Sequence, residues 1–272
     1  MWENPATQEN VDRLRRRGFV VVGPGLGWLA EGKVGFGRMA EPAEIIDCIK
    51  QVLGRNGDLV GRRIVVTAGG TQEPIDPVRH ISNKSSGKMG YAIAEAARDR
   101  GAEVTLIAAP TALPDPARIS VLHVSTAEEM YDATAKAVSG CDALIMAAAV
   151  ADYRPARVEP EKIKKSELTL KLDLVRTKDI LGSLDGSFVK VGFAAESNAL
   201  IANARKKLTG KGLDLIVAND IMRKDAGFGS DMNKITMLGR GGKAEDLPLM
   251  PKREAADRIL DRVASLLGRE NV

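Results

Sequence analysis

Residues 63–98, RIVVTAGGTQEPIDPVRHISNKSSGKMGYAIAEAAR, constrain the fold most tightly, because a buried strand there runs into a helix through a long polar loop. Positions 63–67 are a short apolar, β-branched run, Gly69 and Gly70 break it, and helical spacing resumes at Met89, Ile93 and Ala97. Between them lie Asp76, Arg79, Ser82, Asn83, Lys84, Ser85, Ser86 and Lys88, more polar side chains than a connection requires. Long loops in compact α/β domains are functional or disordered, and this density favours a loop that holds a ligand.

Regular alternation continues beyond it: strand 64–67, helix 88–100, strand 103–108, helix 127–138, strand 143–148, strand 189–194, helix 199–208 and strand 214–218. Continuously apolar strands separated by helices indicate a parallel sheet covered on both faces. The expected class is α/β, a Rossmann-like open, mostly parallel sheet with helices on both faces. Residues 152–178 interrupt it with the charged EPEKIKKSE and the alternating LTLKLDLV, the pattern of a half-exposed antiparallel flap. A hairpin over 234–238 and 244–249 and an amphipathic helix over 253–267 complete the chain.

Residues 1–56 differ in character, with a basic helix over 10–17, a strand over 19–22, a glycine-rich loop and a helix over 41–53. Asn56-Gly57-Asp58 marks a turn, which sets the expected division at 1–56 and 57–272.

The 272 residues are 44% hydrophobic, enough for a substantial core. Net charge is +4, with 40 basic against 36 acidic residues dispersed along the chain. That balance, with only 4% aromatic residues, favours small anionic ligands over nucleic acid. No apolar run is long enough to span a membrane and the N-terminus does not read as a signal peptide, so a cytoplasmic protein is expected. Cys48 and Cys141 fit no metal-ligand spacing and read as ordinary thiols. His80 and His123 lie in unlike contexts, which argues against a histidine triad or metal cluster.

Ser85, Ser86 and Gly87 stand where backbone donors converge at a helix start, a place for phosphate, although Ser85 as a simple cap is the alternative. The loop is not a Walker A motif, because Met89 comes directly after Gly87-Lys88. Asp152 falls just past the end of a buried strand, where a carboxylate can accept from a nucleobase amine or ribose, hold a metal, or merely form a turn. Lys162, Lys164 and Lys165 read either as a solvated face or as flap cations for a polyphosphate. Phe193 is a base-packing or a core residue, and Lys206, Lys207 and Lys211 sit on or just after a helix, where a basic C-terminal turn would complement the dipole. GFGRMA at 35–40 matches GxGxxA, but no strand leads tightly into it and Pro42 interrupts the segment after it.

TAGGTQEPIDPVRHISNKSSGKMG, MAAAVADYRP, EKIKK, VGFAAES and DLIVAND, in that order, resemble the phosphopantothenate–cysteine ligase (phosphopantothenoylcysteine synthetase) domain of bacterial coenzyme A biosynthesis, from about residue 61 to the C-terminus. In many bacteria that domain is fused behind a flavin-dependent decarboxylase. The first fifty residues resemble the decarboxylase tail through Met1-Trp2 and LAEGKVGFGRMAEP. Glu31 stands where that segment ordinarily carries a catalytic cysteine, and the upstream flavin-binding domain is absent. No flavin, and no decarboxylation, is therefore expected of this chain alone, although a flavin-dependent decarboxylase is an expected partner.

The resemblance implies ligation of 4′-phosphopantothenate to L-cysteine through an acyl-cytidylate, with CTP as co-substrate and Mg2+ as its counterion; metal ligands remain unassigned. It implies that Asn83 holds the acyl carbonyl and Lys162 neutralises phosphate charge. Asp152 would read cytosine or ribose, Phe193 would pack near the nucleotide, and Lys207 and Lys211 would hold phosphates. Gly69, Gly70 and Ser85 belong to the binding loop, and Lys178, Asp179, Ile180 and Leu181 occupy the place of a nucleotide-contact loop, with Thr177-Lys178 where Asn-Pro is common. A homodimer exchanging its flaps is also implied, a simple surface hairpin being the alternative for residues 168–174. Two competing functions are an NAD(P)-dependent oxidoreductase, which would need GxGxxG directly after the first strand, and a noncatalytic nucleotide-binding assembly subunit.

Overall fold

The computed structural model describes residues 1–164, 169–196, 200–220, 227 and 229–269, in two units, Met1–Arg55 and Asn56–Val272. The first unit holds helix α1 (Pro5–Arg16), an antiparallel hairpin of β1 (Gly25–Trp28) and β2 (Val34–Arg38), and helix α2 (Pro42–Leu53). The helix expected over 10–17 starts earlier, because Asn4 caps the Ala6 N–H at 3.0 Å and Pro5 opens the first turn. The strand expected over 19–22 does not form: among the described residues no second strand pairs with it, and Phe19 is exposed. The GxGxxA segment lies largely on β2 of the hairpin, without the strand-to-helix turn a dinucleotide fingerprint requires.

A short 3-10 turn (Gly54–Asn56) spans the boundary, and the second unit runs through β3 (Arg63–Ala68), β4 (Gln72–Pro74), β5 (His80–Ser82), α3 (Lys88–Asp99), β6 (Glu103–Ala108), β7 (Ser120–His123), α4 (Ala127–Ala137) and β8 (Ala143–Met146). It then runs through β9 (Tyr153–Pro155), β10 (Leu174–Arg176), α5 (Ile180–Ser183), β11 (Val189–Glu196), α6 (Leu200–Gly210) and β12 (Leu215–Asp220). The chain closes with β13 (Met232–Asn233), β14 (Ile235–Gly239), β15 (Ala244–Asp246), β16 (Met250–Pro251) and α7 (Lys252–Arg269).

Among the described residues, eight strands form one sheet in the order β15-β14-β12-β11-β8-β3-β6-β7. It is parallel from β7 to β12, and β14 and β15 extend it antiparallel. Side chains alternate faces along each strand, and both faces are buried. Ile64, Val66, Leu106, Ile145, Val191 and Leu215 pack in a cluster with residues of α3 and α7. Val65, Ile107, Leu144, Met146 and Ile216 belong to the opposite cluster, with residues of α4 and α6. The continuous apolar runs are thereby explained, and the expected α/β architecture is present.

The flap differs from expectation. β10 pairs antiparallel with β9 over Leu174 to Arg176, whereas residues 169–173 form no strand and 168 lies outside the described residues. Alternation supplies an apolar face, but a ladder needs a second strand, and β9 is only three residues long. Leu170, Leu172, Leu174 and Val175 remain exposed.

Burial, reinforced by the Asp142 carboxylate, pushes the Cys141 thiol up to about 11. Because the thiolate is the nucleophile, alkylation of Cys141 by iodoacetamide at pH 8 is expected to be slow in native protein and fast after denaturation. Equal rates in the two states would contradict the placement.

Candidate functional site

The sheet order reverses between β3 and β8: the chain leaves β3 for β6 and β7 on one side, then returns to β8 on the other. Ligands of open α/β sheets bind outside the carboxyl ends of the strands at such a point. Here the two polar segments of the chain meet. Gly70 and Ala149 form a parallel bridge, the Ala149 N–H donates to the Gly69 carbonyl at 2.8 Å, and the Thr71 N–H donates to the Ala149 carbonyl at 3.3 Å. Thr67 Oγ1 accepts from the Ala148 N–H at 3.2 Å and Thr71 Oγ1 from the Ala151 N–H at 2.9 Å. Both threonines are fully buried, so these backbone donors are satisfied where water cannot reach.

Asn83 spans the crevice. Its Nδ2 donates to the carbonyls of Ala149 at 3.3 Å and Val150 at 3.1 Å, so the amide is fixed by the end of the β8 segment. Gly70 makes room for this arrangement, since a Cβ there would stand 2.8 Å from the Asn83 carbonyl oxygen. Gly69 turns the chain at φ +84°, and its Cβ would meet the Ala109 carbonyl oxygen at 2.6 Å. Gly69→Ala is therefore expected to cost about 1–3 kcal/mol through left-handed backbone strain, read as a lower urea midpoint. An unchanged midpoint would remove that argument.

Ser85 does not cap the helix. The N-cap is Gly87, with no side-chain cap bond, and Ser85 Oγ accepts from the Gly87 N–H at 3.3 Å. The first turn of α3 keeps its donors at the crevice end of the sheet, which suits an anion. Asp152 is exposed, and its carboxylate has no hydrogen-bond partner among the described residues.

The segment after β10 is laced to the same place. Thr177 Oγ1 donates to the Ala151 carbonyl at 2.6 Å, and the Thr177 N–H donates to the Asp152 carbonyl at 3.0 Å. The Lys178 ammonium sits 3.4 Å from the centre of the Tyr131 ring, a cation–π contact. Asp179 Oδ1 accepts from the Gly182 N–H at 3.1 Å and from Lys211 Nζ at 2.9 Å. Burial opposes ionisation of Asp179, but the Lys211 and Gly182 bonds outweigh it and hold the carboxyl below its ordinary value. Ile180 and Leu181 bury their side chains in a core cluster, which leaves only their backbone for a ligand. Phe193, half-buried on β11, packs against the other cluster, and Lys207 is exposed on α6, the helix that comes after that strand.

Lys162 is exposed, without a hydrogen-bond partner among the described residues, whereas its neighbour Ile163 is held at both backbone groups. The Ile163 N–H donates to Asp76 Oδ2 at 3.2 Å, and its carbonyl accepts from Arg79 Nη2 at 2.9 Å. Sequence reasoning placed Asp76 and Arg79 in the polar loop without giving them a role, and passed over Thr67 and Thr71. The available signal was Asp76-Pro77, a turn initiator, with an arginine three residues after the aspartate.

Residues 59–267 match the DNA/pantothenate metabolism flavoprotein C-terminal domain model, and residues 1–54 match the flavoprotein model. The chain is 45% identical over 287 residues to the coenzyme A biosynthesis bifunctional protein CoaBC of Mycobacterium tuberculosis (strain ATCC 25618 / H37Rv), covering 98% of this chain and 68% of that protein. It is 43% identical over 274 residues to the CoaBC of Vibrio vulnificus (strain YJ016), with the same coverage of 98% and 68%. A crystal structure of the C-terminal domain of a CoaBC superposes with a TM-score of 0.68 at 40% identity, covering 78% of this chain and 99% of that one.

Proposed function

This chain belongs to the DNA/pantothenate metabolism flavoprotein C-terminal domain family, among relatives named coenzyme A biosynthesis bifunctional proteins, and from that premise we propose that it ligates 4′-phosphopantothenate to L-cysteine using CTP. The observation that carries the reading is the meeting, at the reversal of the sheet, of the Asn83 loop with the segment that runs on into Asp152. The substrate carboxylate attacks the α-phosphorus of CTP, forming an acyl–phosphate bond as pyrophosphate leaves. The cysteine amine then attacks the acyl carbon, forms the amide, releases CMP and loses a proton. Neither step needs a protein nucleophile; both need alignment and charge stabilisation.

Lys162 supplies positive charge at the phosphates, and the first turn of α3 supplies N–H donors. Asp152 presents an unpaired acceptor for a cytosine amine or ribose hydroxyl. Phe193 packs near the base, and Lys207 and Lys211 face the phosphates. Lys211 would exchange Asp179 for them, or share both. Asn83 reaches the acyl carbonyl by trading the longer of its two bonds, that to Ala149. Among the described residues no group of three or more His, Cys, Asp or Glu side chains could hold a metal. That fits Mg2+ carried in by the triphosphate with phosphate oxygens and water as ligands, where it neutralises charge.

The exposed leucines of the flap suit a second copy of the chain that exchanges flaps, and a flavin-dependent decarboxylase is a further partner in this reading. Among the described residues no helix is long and apolar enough to cross a membrane. An oxidoreductase is disfavoured, because Gly69-Gly70-Thr71 opens a long loop and not a GxGxxG turn. Thermal shift separates the two: CTP with Mg2+ at about 100 times its dissociation constant should add about 2.7 kcal/mol of stability, raising Tm by several degrees. Stabilisation by NADPH and not by CTP would overturn the ligase.

A further inference from the structure

One charged turn of the domain body bonds to the flap. Asp76 is 3% exposed, an unusual position for a carboxylate. Its Oδ1 accepts from the N–H groups of Val78 and Arg79, both at 2.9 Å, which closes the turn. Its Oδ2 accepts from Arg79 Nε at 2.9 Å and also from Arg79 Nη2. The Arg79 guanidinium holds the Asp76 carboxyl well below the usual carboxylate range, so the pair stays charged at neutral pH.

A turn of this kind could close on itself. This one reaches beyond itself: the free geometry of Oδ2 takes the Ile163 N–H, and the same guanidinium nitrogen that binds the carboxylate donates to the Ile163 carbonyl. One flap residue is thus gripped at its donor and its acceptor together. A third bond runs alongside, from the Glu159 N–H to the Ile75 carbonyl at 2.9 Å. Three bonds to two flap residues, two of them made by charged groups, exceed what a passing surface contact needs. The gripped residue is the one directly after Lys162, which is exposed and has no side-chain partner among the described residues.

We propose that Asp76 and Arg79 form a latch that holds the flap backbone at Ile163 and so sets the reach of Lys162 to the nucleotide phosphates, making Asp76 a positioning residue for the activation step. The inference rests on the ligase reading for what Lys162 touches, and on geometry alone for the latch. A residue that acts only through Lys162 loses its effect once Lys162 is gone, whereas a residue that merely supports the fold does not.

The test pairs hydrogen exchange with a double-mutant cycle on the full chain. In Asp76→Asn the amide keeps one acceptor for the turn but loses the charged oxygen that takes Arg79 and the Ile163 N–H. Exchange over 162–164 should rise at least tenfold, with protection of the β3 and β8 amides unchanged. Pyrophosphate release should fall about tenfold in Asp76→Asn, yet Asp76→Asn combined with Lys162→Gln should be no slower than Lys162→Gln alone. Should Asp76→Asn fail to fold, Arg79→Lys serves in its place, since a lysine cannot supply the two-point fork. Unchanged exchange over 162–164 in a folded variant, or losses that multiply in the double variant, would overturn the latch. Wild-type protein that makes no pyrophosphate would instead sink the ligase reading and the assignment of Lys162, while exchange would still decide whether Asp76 holds the flap.

Discussion

Lys162→Gln is expected to slow CTP-dependent pyrophosphate release by about 100- to 1,000-fold, the usual consequence of removing a preorganised charge from a developing oxyanion. The substitution preserves length and polarity, and Lys162 is exposed without a partner among the described residues, so the fold should be untouched. Tm should therefore remain within about a degree, because surface changes away from special features stay within about 0.5 kcal/mol. The loss should fall on the rate at saturating CTP more than on its apparent affinity, since the charge is used most as pyrophosphate departs. A variant that releases pyrophosphate at the wild-type rate would return Lys162 to the solvated face of the flap.

Asn83→Asp should act on the other half of the reaction. The amide nitrogen donates to the carbonyls of Ala149 and Val150, and a carboxylate would face those oxygens with a negative charge and no donor. The side chain must swing away, and the acyl-phosphate then loses a donor and gains a repulsive neighbour. Product formation should fall about 100-fold or more, while pyrophosphate release falls less, so acyl-nucleotide accumulates. Rapid quench with labelled phosphopantothenate reads both steps. An unchanged rate of amide formation would remove Asn83 from the mechanism.

Much of this arrangement was legible because it depends on local rules. Ile64 to Val66 and Ala143 to Ile145 are buried on both faces, so their continuous apolar runs signalled interior parallel strands. Gly69-Gly70 marked the break where the loop begins. The reversal of strand order was not legible, because it depends on which side of β3 the chain returns to, a long-range choice that no local pattern carries. The cross-links made by Thr67 and Thr71 were hidden for the same reason: a threonine within or beside a strand looks like any β-branched residue until its hydroxyl finds a backbone group about eighty positions away. Residues 168–174 misled in the other direction, since alternation describes a face and not the neighbour a strand needs. Asp76 was visible as a turn residue, but that its second oxygen reaches Ile163 is a fact of tertiary structure.

The most direct test of the central claim is pyrophosphate release by the purified chain supplied with 4′-phosphopantothenate, Mg2+ and either CTP or ATP, with and without L-cysteine. The account predicts release with CTP that accelerates on adding cysteine and yields the amide and CMP in equal amounts. Folded protein that releases no pyrophosphate with either nucleotide would contradict it.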